Sequence, residues 1–515
     1  MQTITLNLTP EQYHIPEEMQ RAVGRKLHIR PDQIGHLQVV RRSLDSRRGQ
    51  VKYQATINVY ASSERYVPES FVSDYKDCSQ ADPIVIVGAG PAGLFAALRA
   101  LELGLRPILL ERGRPVDERK RDIAVLGREG TLNPESNWCF GEGGAGTFSD
   151  GKLYTRSTKR GNVQEVLRKF VEHGAKPEIM IDAHAHIGTD CLSPIIASMR
   201  ETILRYGGEY HFSTTMTDLV MEGDSVCGVL CSDGKVYRGR AVILATGHSA
   251  RDIYELFNQR GWAIEAKPFA MGVRVEHPQR LINTIQYHSR NYSPLLPPAT
   301  YSLVTQASGH GVFSFCMCPG GVIVPAATAP QQQVVNGMSN SQRNSPFANS
   351  GIAVTVGLED VPQYQEHGPL ALLRFQQDVE QRMYEACPGS APSQRLVDFL
   401  QNRISSRLNK SNYLGPTASS PLHELLPAFV AQGLQQGFMD FDRKMKGFVT
   451  EEATLLAVES RTSSPVRIPR GTDYQHLQLR RLYPCGEGAG YAGGIVSSAL
   501  DGINAINAFY ASNQI

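Results

Sequence analysis

The sequence predicts an α/β protein built on a parallel sheet, with a small α+β unit ahead of the sheet and a second α/β block inserted into it. Three observations carry this expectation. An apolar strand, Pro83-Ile84-Val85-Ile86-Val87, runs straight into Gly88-Ala89-Gly90-Pro91-Ala92-Gly93. A helical stretch from Pro91 to Leu103 stops at Gly104, and a second apolar strand, Arg106–Leu110, ends at Glu111. Near the C-terminus, Leu482-Tyr483-Pro484-Cys485-Gly486-Glu487-Gly488 feeds a helix reaching about Phe509, so the chain returns to the same kind of layer after a long excursion. Strand, glycine turn, helix and strand in that order make a βαβ unit.

In chain order, residues 1–78 read as an N-terminal ferredoxin-like α+β domain. It has a strand at Ile4–Leu8, a helix near Pro16–Leu27 and two strands flanking Ser46-Arg47-Arg48-Gly49. Arg41, Arg42, Arg47, Arg48 and Lys52 form either a docking patch for a protein partner or a solvated hairpin, and charge runs are ordinarily solvated faces. Residues 63–82 are polar and end in Ala-Asp-Pro, as linkers do. Residues 79–265 form the first part of the dinucleotide domain, 266–460 a substrate-side or cap domain, and 461–515 the returning part. Within the cap, helices are expected near 368–386 and 393–408, and 328–350, rich in Gln, Asn and Ser, reads by composition as a loop.

The glycine turn has a physical logic. Gly88 permits the tight turn, Gly90 lets backbone approach a pyrophosphate, and Gly93 brings helix and strand together. Pro91 and Ala92 open the helix, whose unpaired N–H groups and positive dipole end face the diphosphate. Glu111 stands where an acid accepts hydrogen bonds from ribose hydroxyls, with Arg112 beside it. Gly141-Glu142-Gly143-Gly144-Ala145-Gly146 also spells G-x-G-x-x-G, but no apolar strand precedes it, and it fails as a nucleotide fingerprint.

Composition excludes several classes. With 52 Lys+Arg against 50 Asp+Glu, the net charge of +2 supplies no field for nucleic acid or a membrane surface. No apolar run approaches the ~18 residues of a membrane span. The nine cysteines include no Cys-x-x-Cys, and Met1 opens a polar, strand-like segment, so a reducing cytoplasm is the expected location.

Two later segments favour FAD over NAD. Ala241–Leu244 is an apolar strand ending in Ala245-Thr246-Gly247, suited to the nucleotide crevice. Glu487, after Gly486, is placed to hold a ribityl hydroxyl. The helix beginning near Gly493, Gly494 and Ile495 points its positive end at the flavin pyrimidine edge, where charge accumulates on reduction.

Four stretches then carry a resemblance: Asn137-Trp138-Cys139-Phe140 through Leu153, Phe315-Cys316-Met317-Cys318-Pro319-Gly320-Gly321, Asn336-Gly337-Met338-Ser339 and Thr462-Ser463-Ser464-Pro465-Val466-Arg467. Over nearly its whole length the chain resembles a family of bacterial FAD-dependent dehydrogenases of unassigned substrate. The resemblance implies a discontinuous Rossmann-type FAD-binding domain with an inserted α/β substrate-side domain over the flavin. Gly144, Ala145, Gly146, Ser149, Asp150 and Lys152 would enclose the cofactor, with Met216 as a further contact.

The expected activity is hydride transfer between an unidentified substrate and flavin N5, in which the chain either takes hydride from its substrate or meets NAD(P)H transiently at the flavin face. Candidate catalytic residues are Lys152, Arg156, His310 and Arg461. Lys152 and Arg156 bring charge to the substrate face or are loop-surface cations. Arg461, with Arg467, clamps an anion or makes a structural salt bridge, and His310 is a proton donor or a loop histidine bonded to backbone. A flavin monooxygenase is the rival enzyme reading, and an FAD-binding redox or partner-docking protein the rival outside catalysis. His184 and His186 in Asp182-Ala183-His184-Ala185-His186 mimic a metal motif but lack the further ligands one needs, so no metal is expected. Cys316 and Cys318 read first as buried thiols, because a bridge between near neighbours on a regular strand is strained.

Overall fold

The computed structural model describes residues 1–47, 49–154 and 161–512, so Arg48 and Arg156 lie outside the described residues. The dinucleotide unit is a five-stranded sheet in the order Leu482–Pro484, Val242–Leu244, Pro83–Val87, Arg106–Leu110, Glu209–His211, every neighbouring pair parallel. A parallel sheet is covered on both faces, which explains strands that read as unbroken apolar runs. Alternate residues serve different cores. Ile84, Ile86 and Leu109 pack with the helices Pro91–Leu103, Thr189–Arg205 and Ile495–Ser512. Val85, Val87 and Ile108 pack with the antiparallel meander of residues 216–238 and the helix Arg251–Arg260.

The chain leaves this unit through Glu265-Ala266 and returns through Val466-Arg467, and these two short strands pair antiparallel. Between them lies a seven-stranded sheet in the order Val304–Ala307, His310–Cys318, Phe347–Val356, Phe269–Pro278, Thr454–Glu459, Ala391–Arg395, Thr417–Ser419. The helices Ala371–Ala386 and Ala428–Lys444 pack on it around Phe375, Phe438 and Phe441.

Several expectations need correction here. Residues 328–350 are not a plain loop. They hold the strand Val335–Met338 and the start of Phe347–Val356, where polar Asn349 and Ser350 are fully buried. Composition misleads because burial is offset by hydrogen bonds, as where Asn349 Oδ1 accepts from Arg274 Nη1 at 2.8 Å. The helix expected over 393–408 is instead the strand Ala391–Arg395 and a short helix, Leu396–Leu400. The helix Ala428–Lys444 escaped notice because glycine is a poor helix former. Gly433 and Gly437 are there for close approach: a Cβ on them would meet Val354 and Val312 side chains at 3.1 and 2.6 Å.

The N-terminal unit is a three-stranded antiparallel sheet, Gln2–Leu8, Lys52–Ala61, Ile34–Asp45, with the helix Pro16–Leu27 against it. This βαββ order supplies three strands where a full ferredoxin-like unit has four. Arg42 is not a free docking residue. Its guanidinium forks onto Asp182, with Nη2 donating to Oδ2 at 2.7 Å, and Nη1 donates to Tyr13 Oη at 2.9 Å. Arg42 N also donates to Ile181 O at 2.9 Å, so the residue ties the N-terminal sheet to the body. Arg47 is exposed and pairs with Asp45. Among the described residues no helix is long and apolar enough to cross a membrane.

Candidate functional site

The three glycines of the first turn do different work. Gly88 has φ 102°, and a Cβ on it would lie 2.4 Å from Ala245 O. A Cβ on Gly93 would lie 1.8 Å from Gly88 O, so Gly93 is a packing residue and does not line the cavity. At Gly90 a Cβ would meet only Gly144 Cα at 3.8 Å; the space beside it is open.

That space is a cavity of about 340 Å³. Gly88, Gly90, Pro91 and Ala92 line it, with Glu111 and Arg112 from the end of the next strand. Gly144, Ala145, Gly146, Ser149, Asp150 and Lys152 line it, and Met216, Ala245, Thr246 and Gly247 close another side. Gly486, Glu487, Gly493, Gly494 and Ile495 reach it from the C-terminal segment, and Phe315, Cys316 and Asn336 from the inserted block. His310 does not line the cavity: its Nδ1 meets Thr355 O at 3.1 Å and its Nε2 lies 3.6 Å from Asp360. The proton-donor role expected of it is withdrawn, and the backbone-bonded reading stands.

Glu111 is an organiser as well as a ligand candidate. Oε2 accepts from Ala89 N at 2.9 Å, and Oε1 from Gly113 N at 2.9 Å and Gly141 N at 3.0 Å. A carboxylate offers about four lone-pair directions, so one on Oε2 stays open for a ribose hydroxyl. Arg112 is held by Asp252 at 2.6 Å and Glu135 at 3.1 Å and lies over the Phe140 ring. Asp150 is held by Arg343, and Lys152 Nζ donates to Met317 O, linking the glycine loop to the inserted sheet.

Two residues missed by sequence reasoning shape the site. Arg119, on the helix Val116–Glu129, is fully buried. It donates to the carbonyls of Asn137 (2.8 Å), Trp138 (3.0 Å), Gly141 (3.1 Å), Glu142 (2.8 Å) and Gly144 (2.8 Å), moulding the 137–146 loop. Burial pulls its guanidinium down to about 10, and it stays charged at neutral pH. No sequence signal marks it, since an arginine in a polar helix reads as solvated. Asp501 sits inside the terminal helix, accepts from Gly486 N at 2.7 Å and pairs with Arg470 at 2.6 Å. Arg470 in turn lies over the Tyr474 and Tyr491 rings at 4.1 and 3.9 Å. Together they hold the Gly486-Glu487 turn against the helix.

Arg461 lines the cavity but has no donor left for a substrate. Nε and Nη2 reach Glu380 at 3.2 and 3.1 Å, Nη1 reaches Ser249 at 3.1 Å and Thr328 at 2.7 Å, and Nη2 also reaches Gln332 at 3.0 Å. All five guanidinium N–H groups are engaged, so the structural salt-bridge reading replaces the substrate clamp. Arg467 stands outside the cavity, 3.8 Å from Glu265.

Burial alone would raise the Glu380 carboxyl, but Arg251 and Arg461 outweigh it and hold it down to about 2. Its contribution to stability is therefore present above the ordinary value of 4.5 and lost as pH falls through about 2. Glu380→Gln leaves two buried guanidiniums without their counter-charge and is expected to cost about 3–5 kcal/mol at neutral pH, read by chemical denaturation.

Burial pushes the Glu487 carboxyl up to about 7, partly offset by Lys267. Its side chain has no hydrogen-bond partner among the described residues and lines the cavity. The sign follows: stability from its neutral form is full below the ordinary carboxylate value of 4.5 and lost as pH rises through about 7. Glu487→Gln is expected to flatten this fall in the melting temperature of the flavin-free protein, measured across that range. His248, also on the cavity wall, is held down to about 4 by burial and by Arg461 and Arg251, and is neutral at pH 7.

These residues fit an extended dinucleotide. Facing glycines at 90 and 144 leave room for backbone approach to a diphosphate, and Glu111 keeps one acceptor for a ribose. Glu487 presents a carboxyl to the cavity from the C-terminal segment. Parallel sheet, glycine turn and terminal helix define a Rossmann-type FAD-binding protein.

Comparison with known proteins agrees. Residues 268–462 match the family model described as "FAD-dependent protein, C-terminal domain-like", and residues 1–60 match a domain of unknown function. An uncharacterized protein of Clostridium beijerinckii is 38% identical over 507 residues, covering 94% of each chain. The chain belongs to this family of FAD-dependent proteins, and FAD is its cofactor. Among solved structures, a flavin-dependent brominase is similar over 84% of this chain and 79% of its own, with 13% identity and a TM-score of 0.38. A geranylgeranyl bacteriochlorophyll reductase-like protein of Thermoplasma acidophilum is similar over 84% and 79%, with 12% identity and a TM-score of 0.35. At such scores neither likeness carries an inference about reaction or substrate.

Proposed function

We propose that the chain is an FAD-dependent oxidoreductase of the dehydrogenase or reductase type, exchanging hydride between an organic substrate and the flavin, with NAD(P)H as a transient electron donor. One observation supports this above others: a single cavity is lined both by the dinucleotide turn and by Phe315, Cys316 and Asn336 of the inserted block. Bound FAD supplies a carrier that accepts and returns two electrons. The chain supplies position and charge. Gly88, Gly90 and the start of the helix Pro91–Leu103 receive the diphosphate, and Glu111 the adenosine ribose. Glu487 holds a sugar-chain hydroxyl and, with its carboxyl pushed up to about 7 by burial, carries its own proton below neutrality. The first turn of the helix Ile495–Ser512 directs unpaired N–H groups toward developing negative charge. Lys152 adds a cation on the wall shared with the inserted sheet.

The test is anaerobic bleaching of the purified yellow protein. Addition of NADH, NADPH or a metabolite pool is expected to abolish the flavin absorbance, and air is expected to restore it slowly. Rapid oxygen uptake coupled to substrate hydroxylation would overturn the dehydrogenase reading in favour of a monooxygenase.

A further inference from the structure

We propose that Cys316 and Cys318 form a redox-active dithiol that exchanges two electrons with FAD bound in the cavity, which makes thiols and disulfides the substrate class on that side of the reaction. The proposal rests on the flavin reading above. Both residues are free cysteines. Cys316 lines the cavity beside Phe315, and Cys318 is fully buried and does not line it.

A regular strand would keep two cysteines one residue apart near the limit of disulfide reach. This strand is irregular there. Its register against Phe347–Val356 shifts between Phe315 and Cys318, and Cys316 takes φ 44°, a left-handed conformation uncommon for a residue with a side chain. The kink brings the second thiol back over the first residue, with Cys318 Sγ donating to Cys316 O at 3.2 Å. Uncommon backbone of this kind collects at functional sites.

Charge at the pair divides the roles. Lys152 comes from the cavity side, where its Nζ donates to Met317 O between the two cysteines. Arg274, locked by Glu459 at 2.6 Å and Asn349 at 2.8 Å, places Nη1 3.3 Å from Cys316 O and 4.0 Å from Cys318 Sγ. The neighbouring Cys318 side chain, then Lys152 and Arg274, hold Cys316 below its ordinary value, while Cys318 is raised. Cys316 is therefore the attacking sulfur and Cys318 the resolving one. In the oxidative direction two S–H bonds break and one S–S bond forms. The electron pair and both protons pass to oxidised FAD, which leaves in its two-electron-reduced form. In the other direction two-electron-reduced FAD returns the electron pair and both protons to the internal bridge, and the dithiol so formed reduces a substrate disulfide to two thiols while closing to the bridge again.

The test treats the yellow protein with diamide, traps free thiols with N-ethylmaleimide under denaturing conditions, and maps the labelled peptides. Residues 316 and 318 are expected to be unlabelled and linked, and to take label after reduction. Anaerobic dithionite titration of the oxidised protein is expected to consume twice the reductant per flavin that Cys316→Ser or Cys318→Ser consumes. A wild-type protein that bleaches with a single two-electron equivalent, or whose two cysteines stay fully labelled after diamide, overturns the dithiol even if the variants fail to fold. A colourless protein would instead sink the flavin reading and with it the coupling, while the labelling would still report whether the pair closes.

Discussion

Gly90→Val is expected to give a folded, colourless protein. A side chain at residue 90 meets only Gly144 Cα at 3.8 Å and otherwise projects into the cavity where the diphosphate must lie. The expected loss of FAD affinity is at least about 100-fold, or ~2.8 kcal/mol, measured by flavin titration of the cofactor-free protein. Its melting temperature without flavin should match that of the cofactor-free wild type. Gly93→Ala is the control with the opposite signature. Its Cβ would sit 1.8 Å from Gly88 O inside the helix–strand contact, so the backbone must shift, at a cost of roughly 1–3 kcal/mol in stability. A Gly90→Val protein that kept full flavin would sink the cofactor placement.

Replacement of Arg119 is expected to be the most damaging single change outside the glycine turn. Arg119→Met keeps the length and removes the charge; it leaves the carbonyls of Asn137 and Trp138 without a donor, while those of Gly141, Glu142 and Gly144 keep only the bonds from Gly144 N, Thr147 Oγ1 and Thr147 N. At about 1–3 kcal/mol for each unsatisfied group, partly relieved by water, several kcal/mol of stability should go, along with the loop that walls the cavity. Arg119→Lys should rescue little, because one ammonium has three donors and cannot reproduce the planar spread of the guanidinium. Denaturant melts should show the loss of stability in both variants, and flavin titration the loss of affinity. Wild-type flavin content in Arg119→Met would rule out the moulding role.

How much of this was legible in advance follows from the range of the interactions involved. The turn from Gly88 to Gly93, the strand ending at Glu111 and the segment from Gly486 into the terminal helix are local patterns, set by backbone conformation and by apolar runs that a two-sided sheet requires. Nearly every residue singled out from those patterns lines one cavity, although they come from distant parts of the chain. The candidate catalytic residues were less legible, because their chemistry depends on neighbours far away in sequence. Glu380, Ser249, Thr328 and Gln332 use all the donors of Arg461, and His310 begins the strand whose other end, at Phe315 and Cys316, lines the cavity.

The buried polar residues were least legible of all. Arg119 and Asp501 are charged side chains on helices, and a charge is solvated by default unless a fold supplies partners for it. Local sequence thus established a dinucleotide-type parallel sheet, its glycine turn and the cavity-facing C-terminal segment, because those depend on steric rules acting over a few residues. Long-range contact settled which ionisable groups are spent on architecture and which face the cavity. It also bent the strand at Cys316, which lines the cavity, and turned the Cys318 thiol back onto the Cys316 carbonyl.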